Sequence, residues 1–169
     1  MPSDSGGNRE RFEAIVAPHL DDAFTLARYL THDADAAQDI VQESCLRALR
    51  FIGGYRGGDG RAWFLAIVRS RCAEWFRTQG RLGLMVEYDD AMHSPETETA
   101  TSDSGSLHEA VDNLPPVFRE VVVLRELCQL PYREIAEVTG VPVGTVMSRL
   151  SRARDRLRVV LGQSGGEDA

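Results

Sequence analysis

The stretch LPPVFREVVVLRELCQLPYREIAEVTGVPVGTVMSRLSRARDRLRVVL, residues 114–161, decides how this chain folds. Pro115, Pro131 and Gly140 divide it into helical segments, because proline lacks the N–H that continues a helix and glycine accepts the left-handed turn that ends one. Residues 132–150 have the layout of a helix-turn-helix: a short helix holding Ile135 and Ala136, a turn at Gly140, and a second helix entered through Pro142 and Gly144. Ala136 is small where two helices cross, Gly140 tolerates a positive φ, and Val146 plugs the crossing from the other side. Along the second helix Val146, Leu150, Ala153, Leu157 and Val160 recur at helical spacing as an apolar face, while Thr145, Ser148, Arg149, Arg152 and Arg156 fall on another. Between positions 145 and 160, five arginines against Asp155 give a local charge of +4. Hydroxyls and arginines at the start of such a helix suit a DNA major groove, and the arginines beyond suit phosphates. A solvated arginine-rich helix on a bundle would explain the charge, but not the turn signature that coincides with it.

The whole chain limits what surrounds this unit. With 169 residues, 43% hydrophobic and 27% charged, it has the balance of a soluble globular protein of one moderate or two small domains. Its 19 basic residues are all arginine, and 26 acidic residues bring the formal charge to -7, which excludes a uniformly basic nucleic-acid coat. Without lysine there is no Schiff base and no phosphate-loop lysine. Cys45, Cys72 and Cys128 form no C-x-x-C pair, so neither a zinc site nor a disulfide framework is expected; they read as small core residues, with redox sensing the minor alternative. No cofactor or metal is expected. His19, His32, His93 and His108 are scattered and no nucleophile motif occurs, so an enzyme is not expected. The N-terminus lacks the pattern of a secretory signal and no run of about 18 apolar residues occurs, which predicts a cytoplasmic protein without membrane insertion.

Residues 82–112 carry eight carboxylates and no arginine, and the middle of this stretch, HSPETETATSDSGS, has the composition of a linker. The expected architecture is therefore all-α: a helical domain over residues 1–81, an acidic flexible linker over 82–106, a helix-turn-helix domain over 107–161, and a flexible tail over 162–169. About 25 flexible residues span roughly 27 Å, enough for the two domains to grip separate places on one partner.

In the first domain Phe12, Ile15, Val16, His19, Leu20, Ala23, Phe24, Ala27 and Leu30 form an apolar stripe expected along one helix, with His19 at the core edge. A second helix begins at Asp33–Asp35, where carboxylates favour a helix N-terminus. Its Ala37, Val41, Cys45, Ala48 and Ile52 face one way; Asp39, Gln42, Glu43, Leu46, Arg47 and Arg50 project elsewhere, and an exposed leucine among charges suggests a docking face. The plainer alternative is a solvated face with a Glu43–Arg47 pair. GGYRGGDG, residues 53–60, follows as a glycine loop around Tyr55 and Arg56, fitting neither nucleotide-binding pattern. Residues 61–81 then carry five arginines against Glu74, a local +4, interleaved with Trp63, Phe64, Trp75 and Phe76. Arginine beside aromatics suits single-stranded nucleic acid, where guanidinium meets phosphate and unstacked bases meet flat rings; the alternative is that the aromatics are core.

Taken together, these motifs resemble the extracytoplasmic-function (ECF) sigma factors of the sigma-70 family. AAQDIVQESCLRALR, residues 36–50, resembles the region 2 helix that docks on RNA polymerase core; WFLAIVRSRCAEWFR, residues 63–77, resembles the helix that recognises and melts the promoter -10 element. LPPVFREVVVLRELCQLPYREIAEVTGVPVGTVMSRLSRAR resembles region 4, which reads the -35 element. The resemblance implies polymerase contact, with the beta and beta-prime subunits, by Asp39, Gln42, Glu43, Leu46 and Arg47. It implies -10 DNA contact by Tyr55, Arg56, Arg61, Trp63, Arg69, Ser70 and Arg77, and -35 DNA contact by Arg125, Thr145, Ser148, Arg149, Ser151 and Arg152. Ser70, Glu74 and Met147 depart from the family's usual side chains, which bears on promoter sequence rather than on class. Such a protein selects promoters without catalysing a reaction, and an anti-sigma factor is an expected partner. The acidic linker resembles the family's mimic of nascent RNA. The competing reading is a dimeric helix-turn-helix regulator that binds palindromes without polymerase; a helical antagonist protein is a third, and would not need its recognition-face arginines.

Overall fold

A computed structural model describes residues 5–79 and 106–164, and among these every regular element is helical. The N-terminal stripe does not run along one helix: α1 (Ser5–Ile15) and α2 (Leu20–Thr31) are separated by a 3-10 turn at Ala17–His19. Pro18 is the reason, since its ring and missing N–H cannot continue an α-helix; the turn closes instead with His19 N–H donating to the Val16 carbonyl at 2.9 Å. The stripe still faces inward, with Val16, Ala23, Leu26, Ala27 and Leu30 fully buried.

His32, in the left-handed region at φ 56°, ends α2, and Asp33 starts α3 (Ala34–Phe51) by accepting the N–H groups of Asp35 and Ala36, both at 3.0 Å. Asp59 does the same for α4 (Gly60–Thr78), accepting from Ala62 N–H at 3.1 Å. The C-terminal half begins with α5 (Leu107–Asp112), capped by Ser106, followed by α6 (Pro116–Val122). α6 runs into a π-helical turn, Val123–Leu127, whose signature is Cys128 N–H donating to the Val123 carbonyl at 3.0 Å. α7 (Tyr132–Thr139) and α8 (Val143–Ser164) are the last elements among the described residues.

The two halves share one continuous core. α4 lies against α7, and α2 lies against α6 and the π-helical turn. Phe64, Leu65 and Val68 of α4 belong to the same buried cluster as Val121, Leu124, Leu130 and Ile135. The expected acidic linker, residues 82–106, lies outside the described residues except for Ser106. No helix among the described residues is long and apolar enough to cross a membrane.

Candidate nucleic-acid interface and docking face

The helix-turn-helix is formed by α7, the turn at Gly140 and α8. Gly140 takes φ 74°, and its N–H donates to the Ala136 carbonyl at 2.9 Å. Ile135, Val146, Leu150 and Ala153 are buried at the crossing, so helical spacing turns Thr145, Ser148, Arg149, Ser151 and Arg152 away from it. Ser151 is exposed and the other four are half-exposed. Ser148 Oγ donates to the Thr145 carbonyl at 3.1 Å. Met147 adds an exposed apolar side chain beside them, at the rim of a shallow cleft lined by Tyr132, Ser151, Arg154 and Arg158.

Two basic residues sit differently from what charge alone suggests. Arg125 Nη1 donates to the Leu130 carbonyl at 3.0 Å, and its guanidinium stacks over Tyr132, 4.7 Å from the ring centroid. Arg156 lies over Phe118 at 5.1 Å. Both positions tie the recognition unit to its support.

α4 separates its candidate residues onto two faces. Trp63, Ser70 and Arg77, seven residues apart, form an outward stripe with Ser70 and Arg77 exposed; Arg56 is exposed in the loop before it. Trp63 is half-buried and packs on Tyr55 with ring centroids 5.0 Å apart. Arg11 donates to the Tyr55 carbonyl at 2.7 Å, and Tyr55 Oη donates to the Gly58 carbonyl at 2.8 Å, so the loop is held by side chains as well as by Gly57 and Gly58 at positive φ. The aromatics of this helix divide accordingly: Phe64 and Phe76 are core, while Trp63 and Trp75 are half-buried.

Arg61 and Arg69 face the other way, into the seam with the C-terminal half. Arg61 Nη2 donates to Glu134 Oε2 of α7 at 2.8 Å, and Arg69 closes on Glu120 of α6 through Nε and Nη2. Burial raises the pKa of the Glu134 carboxyl, reinforced by its hydrogen bond with Asp59. Burial acts upward on Asp59 too, but that bond and the Ala62 N–H outweigh it and leave Asp59 low. Arg61 is raised because Glu134 and Asp59 outweigh the effect of burial. Nearby, Arg119 Nη1 donates to His32 Nε2 at 2.6 Å, and Tyr29 Oη is hydrogen-bonded to His108 Nδ1 at 2.7 Å.

On α3, Asp39, Gln42, Glu43 and Leu46 are exposed, Leu46 by 68%, while Ala37, Ile40, Ser44 and Ala48 are buried behind them. The charges form a chain between helices rather than an i,i+4 pair: Glu43 joins Arg71, Arg71 joins Glu74, and Glu74 meets Arg47 at 3.4 Å. Together these pairs fix the outer face of α3 against α4.

Glu120 and Glu134 are absent from the sequence-based site, and only one of them had a local signal. Glu120 stands in the otherwise apolar run around Val117–Leu124, where a carboxylate must find a cation to be buried. Nothing in the sequence identifies the cation as Arg69, 51 residues earlier.

Among the described residues every regular element is helical, and a helix-turn-helix of this kind places the chain in the class of DNA-binding transcription factors. The Sigma-70 region 2 model matches residues 15–82, and the model for Sigma-70, region 4 matches residues 104–157. The chain is 33% identical over 165 residues to the ECF RNA polymerase sigma factor SigE of Mycolicibacterium smegmatis, covering 94% of this chain and 64% of that protein. It is also 33% identical over 147 residues to the RNA polymerase sigma factor SigV of Bacillus subtilis, covering 86% of this chain and 88% of SigV. The structure of the sigma factor RpoE in complex with the anti-sigma factor NepR from Bartonella quintana has a TM-score of 0.66 at 25% identity, over 89% of this chain and 96% of that one. The chain belongs to the ECF sigma factors of the sigma-70 family, which are transcription initiation factors and not enzymes.

Proposed function

We propose that this chain is an alternative sigma factor that binds RNA polymerase core in the cytoplasm and directs it to promoters through residues 1–81 and 107–161. The observation that carries the reading is the recognition helix: its apolar face is buried at the α7–α8 crossing, so Thr145, Ser148, Arg149, Ser151 and Arg152 are presented together. These would read -35 DNA, with Arg125 as their brace. Asp39, Gln42, Glu43, Leu46 and Arg47 would meet the beta and beta-prime subunits. Tyr55, Arg56, Trp63, Ser70 and Arg77, with Arg61 and Arg69 once released from the seam, would handle the -10 strand. The complex of RpoE with an anti-sigma factor supports an anti-sigma partner here as well.

A chain of charge -7 binds DNA weakly alone, because its field opposes the phosphates; its two +4 segments become useful beside the basic surface of a polymerase. The test is run-off transcription with purified core polymerase on a genomic library. Core-dependent initiation from a shared motif is expected. Leu46→Glu should abolish core binding with the fold intact, and Arg152→Ala should weaken promoter-selective transcription by about 1 to 3 kcal/mol where it contacts a base. A footprint on a symmetric operator without polymerase would overturn the reading in favour of a dimeric regulator.

A further inference from the structure

Among the arginines and hydroxyls of the recognition helix, the Met147 side chain is 53% exposed, and Val143, one turn earlier, is 40% exposed. Gly144, between them, is exposed as well, and a Cβ added there would meet no atom within 4 Å, so the start of α8 presents bare backbone bordered by two apolar side chains. Helical spacing puts Ser151 in the same row, four residues beyond Met147, with Ser148 and Arg152 in the row beside it. The apolar strip is therefore an edge of the face assigned to DNA.

Neither core packing nor phosphate binding accounts for this strip. Val146, Leu150 and Ala153 already fill the crossing with α7, and a thioether has no charge or N–H with which to hold a phosphate. Arg154 and Arg158, which line the cleft beside Met147, are turned onto Glu126 at 3.0 Å and Asp155 at 3.1 Å. What this edge offers a major groove is apolar surface. The base edges there carry one apolar substituent, the C5-methyl of thymine, among hydrogen-bond donors and acceptors.

We propose that Met147, bordered by Val143, is a specificity-determining residue that receives the C5-methyl of a thymine in the -35 duplex, so that the chain prefers thymine at one position of that element. This rests on the assignment of α8 to -35 DNA. Arginines of the same face hold the phosphates, and the methyl packed on the thioether adds a preference of about fourfold, which corresponds to removing roughly one CH2-sized group from water.

The test uses the full chain assembled with core polymerase, on a promoter found by run-off transcription. Each thymine of its -35 element, on either strand, is replaced in turn by deoxyuridine, which removes the C5-methyl and leaves the hydrogen-bonding edges unchanged. Wild type should lose about fourfold in competitive promoter binding at one of these positions. There Met147→Gln should bind the thymine and deoxyuridine promoters equally, while Met147→Leu, which stays apolar, should keep the preference. A fold defect would weaken both promoters alike, so the ratio isolates the contact. Wild-type binding that ignores the methyl at every position, a -35 element without thymine on either strand, or a ratio that Met147→Gln leaves intact overturns the methyl contact. Failure to initiate from any promoter sinks the sigma reading itself, whereas initiation with an unchanged ratio sinks the methyl contact alone.

Discussion

Arg125 directs a donor inward, to the Leu130 carbonyl, and lays its guanidinium on Tyr132, so it braces the π-helical turn against α7. Arg125→Ala should therefore lower stability by about 1 to 2 kcal/mol, read from urea unfolding, and should weaken transcription equally across -35 sequences. Unchanged stability with a sequence-selective loss would make it a direct reader instead. The same inward logic applies to Glu120, where loss of the facing cation would leave a buried charge at a cost of about 3 to 5 kcal/mol if the seam stayed shut. Burial also decides the thiols. It pushes Cys72 and Cys128 up to about 12 and raises Cys45, which makes thiolate scarce near neutral pH. In native protein Cys72 and Cys128 should resist iodoacetamide and become labelled only in denaturant, as peptide mass spectrometry would show; rapid native labelling would revive the redox reading.

At the scale of elements, the turn between α7 and α8 needs φ 74° at Gly140, and an added Cβ there would meet no atom within 4 Å. The cost of Gly140→Ala is then conformational alone, about 1 to 2 kcal/mol, visible as a lower thermal midpoint with wild-type helix content. Gly60 differs, because a Cβ would stand 2.6 Å from Ile15 Cγ2, so the Ile15 side chain would have to shift. The helix-turn-helix, the aspartate start of α3 and its outward face were legible because each is written in residues close together in sequence, whereas the Asp59 cap of α4 emerged only from the structure. The break at Pro18 was written there too, but the apolar stripe continues through it and the periodicity dominated the reading. The division of α4 was not legible. Arg61 and Arg69 differ from Arg77 only by what lies opposite, and Glu134 and Glu120 are 73 and 51 residues away.

Across the whole molecule, closure brings together groups that titrate. Arg119 donates to His32 Nε2, which requires that nitrogen to be unprotonated, while Nδ1 lies 3.6 Å from Asp112. Burial lowers the pKa of His32, and the charges of Arg119 and Arg28 lower it further against the opposing pull of Asp112. His19, lowered by burial and by Arg61, moves the same way. A lowered histidine favours the closed form while neutral, and this contribution is lost as pH falls through the histidine range, because the opened chain takes up a proton that the seam resists. Glu134 opposes this: its pKa is raised, so acid favours its buried form. In the opened chain histidines take up protons at higher pH than carboxylates do, so the histidines set the sign where protonation begins below neutrality. Between about pH 7.5 and about pH 5.5 the thermal midpoint of wild type should fall, and His32→Gln should flatten that slope by removing the group that must charge against Arg119. A variant that keeps the full wild-type slope would place the sensitivity elsewhere. Loss of the slope together with a pH-independent radius of gyration would confine His32 to local packing, and would separate the stability of the two halves from the opening of the seam between them.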